Sequence, residues 1–139
     1  MTVRDPVTLR ADLGEARAAA LAVHATLLEQ ARRQYERDHG RIADAATLLT
    51  VVTSDPAFAW LRPLTATIAD VDACLVDPDP GALGRARVLG VALRELLRPD
   101  AVGSVFQRRY HEAIQASPDV AVVHGKAMAR LRHQVVGHA

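Results

Sequence analysis

The sequence is short of the residue types that advertise chemistry. It has one cysteine, Cys74, among 139 residues, which excludes a disulfide framework and any zinc or iron-sulfur site built from several thiolates. Net charge is nearly absent: 17 Lys plus Arg oppose 16 Asp plus Glu, for a formal +1, so no large field of one sign marks a nucleic-acid coat or a polyanion mimic. Aromatics are few, two Phe, two Tyr and one Trp. Long apolar runs are missing too. The uncharged stretch from Ala18 to Leu28 is interrupted by His24, and MTVRDPVTLR has no signal-type apolar core, so no membrane role is expected and a reducing cytoplasm is the expected address.

Several site types fail on spacing. No Gly-x-Ser-x-Gly elbow and no glycine-rich loop ending in Lys-Ser/Thr occurs, which removes the usual signatures of serine hydrolases and P-loop enzymes. A haem globin needs a proximal histidine in the later middle of the chain, yet none lies between His39 and His111. Asp77-Pro78-Asp79-Pro80-Gly81 starts like a calcium loop, but its glycine comes one place early and Val88 stands where the bidentate Glu belongs. Glu36-x-x-His39 has the spacing of a di-iron carboxylate helix without the second copy that such a centre needs. Cys74 lies near Asp70 and Asp77, which oppose thiolate formation, and is expected to be an inert packing residue.

What the chain does have is helix punctuation. Asp5-Pro6, Asp55-Pro56, Asp79-Pro80 and Ser117-Pro118 each read as an N-cap followed by a proline whose missing N–H costs nothing at the first helical position. Ser104 and Gln107 have capping-box spacing. Between these starts run stripes of helical period: Leu9, Leu13, Ala16, Ala20, Val23, Leu27, Ala31 and Tyr35; a shorter one from Ile42 to Val52; Leu61, Leu64, Ile68, Val71 and Leu75; Ala82, Ala86, Leu89, Leu93 and Leu96; and Val120, His124, Ala127, Leu131 and Val135. No alternating β pattern intervenes. The expected fold is all-α, a single-domain helical bundle over residues 1–139 with four long helices and one or two short ones.

Asp55-Pro56-Ala57-Phe58-Ala59-Trp60-Leu61-Arg62-Pro63-Leu64, with Tyr35-Glu36-Arg37-Asp38-His39-Gly40 upstream, resembles a group of small, uncharacterised, all-helical bacterial proteins. The resemblance covers the central third of the chain and carries no activity onto any residue. Phe58 and Trp60 are expected beneath the helix joints as part of the core.

Three functional classes follow from the remaining residues. The first is a protein that acts by protein–protein association, with no cofactor and no catalysis of its own. A second apolar line on the first helix, Leu21 and Leu28, and the widening of the Ala82–Arg98 helix by Val88 and Val91 are its candidate contacts, and two such widened helices favour a homodimer. The second is a metal- or small-ligand-binding bundle in which antiparallel first and last helices bring His24 and His124 together. The third is nucleic-acid binding through Arg32, Arg33, Arg37 and Arg41 or Arg108, Arg109, Arg130 and Arg132, weakened by the interspersed acids and the scarcity of stacking aromatics. Charge also segregates: Asp70, Asp72, Asp77 and Asp79 lie on a stretch without a basic residue, followed by Arg85, Arg87, Arg94 and Arg98, which predicts pairing between neighbouring helices.

Overall fold

The computed structural model describes residues 5–136. Its elements are α1 (Pro6–His39), α2 (Ala45–Ser54), α3 (Pro56–Ala59), α4 (Arg62–Leu75), α5 (Ala82–Leu96), α6 (Val105–Ala116) and α7 (Pro118–Val136), with no strand among the described residues. The all-α class therefore holds. α1 is by far the longest at 34 residues, α7, α5 and α4 follow at 19, 15 and 14, and α6 is close behind at 12.

The caps explain most of these boundaries. Asp5 accepts the Val7 and Thr8 amides, Asp55 that of Ala57, and Ser117 that of Val120, each relieving a donor that a helix start leaves without an internal partner. Ser104 and Gln107 form the complete reciprocal box. Two starts differ from the sequence expectation. Asp79 spends its carboxylate on the Gly81 amide at 2.9 Å, a tight turn that delays α5 to Ala82. The second helix begins after Asp44, which accepts the Thr47 amide, because the Ile42 amide is already drawn to the Glu36 carboxylate at 2.7 Å. α1 stops at Gly40, whose φ of 91° belongs to the left-handed region that glycine adopts without a Cβ clash.

α1 runs through the middle of the structure and packs on α4, α5 and α7, while α4 lies against α5 and α6 against α7. Its buried face is Leu13, Ala16, Ala19, Ala20, Val23 and Leu27; the three alanines let neighbouring helices approach closely. Phe58, Leu64, Val71, Leu93, Leu97, Phe106, Tyr110 and Val120 fill the same cluster from the other elements. Trp60 is only half-buried, tilted against Phe106 at 5.8 Å between ring centroids. The core aromatic of that joint is Phe58, at 1% exposure. α2 buries none of its residues, and Leu49 on its apolar stripe is exposed.

Candidate functional site

The two histidines singled out by position make separate hydrogen bonds to different helices. His24 on α1 donates from Nε2 to the Thr65 hydroxyl on α4 at 2.8 Å, and that hydroxyl in turn donates to the Leu61 carbonyl. His124 on α7 meets the Tyr110 hydroxyl of α6 through Nδ1 at 2.6 Å, with the two rings edge to face. Tyr110 is wholly buried, and burial pushes its phenol well above the ordinary range, so the hydroxyl keeps its proton; His124 Nδ1 is the one hydrogen-bond partner that hydroxyl has among the described residues, so the hydroxyl donates to the neutral imidazole. Burial lowers both histidines below the usual value. Among the described residues no three His, Cys, Asp or Glu gather where they could hold a metal ion.

Glu36 and His39 are also put to structural use. Glu36 accepts from Arg32 and from the Ile42 amide. His39 stacks on Tyr35 with centroids 4.3 Å apart and donates to the Tyr35 carbonyl at the end of α1. The arginine clusters are divided by acids. Arg32 is clamped between Glu29 and Glu36, Arg33 reaches Glu29 and Asp119, and Arg130 pairs with Glu15 on α1.

Of the concavities found among the described residues, two have apolar side chains in their walls. One, of about 400 Å³, lies between the end of α1, α3 and α6 and is walled by Tyr35, His39, Trp60, Arg109 and Glu112. Its rings are already engaged: Tyr35 by His39 and Phe58, Trp60 by Phe106 and by the Arg109 guanidinium 5.7 Å from its centroid.

The other, of about 510 Å³, is a groove between α4 and α5, with Ala73, Cys74, Leu89 and Val88 along it and Asp70, Asp77 and Arg85 at its rims. Its depth comes from small residues facing one another. Ala73 stands on one side, and on the other a Cβ added to Gly84 would meet nothing within 4 Å. Cys74 at the floor is buried and donates its Sγ–H to the Ala82 carbonyl. Beside the groove Val88 and Val91 stand on the outer face of α5 at 67% and 62% exposure. Leu21 and Leu28, the other candidate contacts, are half-buried against the molecule's own core. The groove itself was not foreseen from the sequence; Gly84 and Ala73 were the available signal, as small residues on the facing sides of neighbouring helices.

The charges around this face follow the segregation of the sequence, with pairing inside the chain: Arg85 with Asp77 at 2.5 Å and Arg17 of α1 with Asp72. Asp70 and Arg87 have no such partner among the described residues. Comparison with protein-family models, curated proteins and solved structures gives no match.

Proposed function

We propose that the protein works by association: in the cytoplasm, a bundle framed by its four long helices binds a protein partner through the outer face of α4 and α5. The observation that carries this is the pair Val88 and Val91, largely exposed beside an open apolar groove. Burying a valine side chain is worth about 1.5 kcal/mol or more, and an apolar strip flanked by charged rims is the usual anatomy of a protein-binding surface. The internal hydroxyl partners of His24 and His124 favour a structural part for both over ligand holding. The pairing of Arg32, Arg33 and Arg130 with acids likewise argues against a basic nucleic-acid face.

Photocrosslinking in the cell tests this. A benzophenone amino acid at Val91 should give an adduct of discrete mass that Val88→Asp abolishes, whereas the same probe at exposed Val122 on α7 should give none. Equal labelling from both positions, or no adduct from Val91, would refute association through this face.

A further inference from the structure

Resting on that association, we infer that the partner is a second copy of this chain, docked about a two-fold axis that runs along the α4–α5 groove. The order of charges across the face points to this. Asp70 and Asp77 line the α4 rim, and Val88 and Val91 occupy the outer surface of α5. Arg87 precedes Val88 by one residue and so lies about 100° round the helix, on the side away from α4. Arg85, which also lines the groove, is paired with Asp77, so the unpaired charges met in crossing the face are the acid Asp70, then an apolar strip, then the base Arg87.

Such a surface is complementary to itself. A two-fold axis parallel to the helices exchanges its flanks, bringing the acidic rim of each copy opposite the basic flank of the other. The valines of both copies meet at the centre. α4 and α5 are antiparallel, and the groove places Asp70 beside the Val88–Leu89 turn, so the Asp70 carboxylate falls at the height of the partner copy's Arg87. Neither of these two charges is paired among the described residues. Asp72, on the flank toward α1, is already taken by Arg17 and plays no part. A two-fold axis perpendicular to the helices would instead set α4 on α4 and acid against acid, a juxtaposition that disfavours association.

Charge exchange on the purified full chain tests the inference. Asp70→Arg and Arg87→Asp should each weaken self-association about tenfold or more, since each places like charges opposite one another twice per dimer. Asp70→Arg/Arg87→Asp restores both pairs with reversed sign and should return affinity to within about threefold of the parent. Both positions are exposed, so circular dichroism should be unchanged in all three variants. Failure of the double variant to recover, or single variants that associate like the parent, overturns the inference. A purified chain that stays monomeric while Val91 still crosslinks to a protein of another mass also overturns it, and leaves association itself intact; the absence of both signals refutes the two together.

Discussion

Replacing Tyr110 by Phe removes one oxygen from the interior and should reveal how the last two helices are joined. Tyr110 is wholly buried and its hydroxyl donates to His124 Nδ1 at 2.6 Å. A hydrogen bond of this kind contributes about 1 kcal/mol net, and an acceptor left unpaired in a fully buried place costs about 1–3 kcal/mol. The His124 ring is half-buried, so water can partly replace the lost donor, and the expected loss is about 1–2 kcal/mol near pH 7.5. The same bond fixes the pH dependence. Burial holds the His124 pKa below its ordinary value, and a donor aimed at Nδ1 acts in the same direction because the protonated ring cannot accept it. A folded-state pKa below the unfolded value of about 6.5 means that this stability is present in full above that value and is lost as pH falls through the folded one. Urea denaturation at pH 7.5 and pH 5 should therefore show the parent weakening on acidification, with the gap between parent and Tyr110→Phe narrowing. An equal gap at both pH values, or a variant as stable as the parent at pH 7.5, would refute the proposed tautomer and the bond.

Three further substitutions probe the frame. Phe106→Ala, at a side chain 1% exposed and packed between Trp60 and Tyr110, should cost about 3–5 kcal/mol in chemical denaturation through the cavity left behind. Gly90→Ala should raise the unfolding midpoint, by about 0.5–1 kcal/mol of stability, because a Cβ there meets nothing within 4 Å and alanine is the better helix former. Gly103→Ala should lower it by about 1–2 kcal/mol: its Cβ would run into Gln107 Oε1, which holds the Ser104 amide while Gln107 Nε2 donates to the Glu95 carbonyl.

Local chemistry was legible in the sequence wherever a residue acts on its own neighbours. Asp5, Asp55, Ser104 and Ser117 cap amides two or three positions away, and proline or Gln spacing announces that directly. The α1 stripe from Leu13 to Leu27 is buried as its period implies. What depends on distant parts of the chain was hidden. His24 finds its hydroxyl 41 residues away and His124 finds one 14 residues away, so their helical positions suggested a shared site that the packing resolves into two separate bonds. The second line on α1 could not be assigned either. Leu21 and Leu28 have the exposure-neutral look of a spare face, but α1 is wrapped by α4, α5 and α7, which leaves them half-buried within the chain. Val88 and Val91 have the same pattern on a helix with solvent on one side, and there the spare face is real.

Sedimentation equilibrium of the untagged chain at micromolar concentration tests self-association through that face most directly. A mass approaching twice the 15.0 kDa of one chain is expected, falling to that of one chain on Val88→Asp; a parent that sediments as a single chain at every concentration up to about 100 µM, where even a weak complex of this kind should be populated, would refute self-association through α4 and α5.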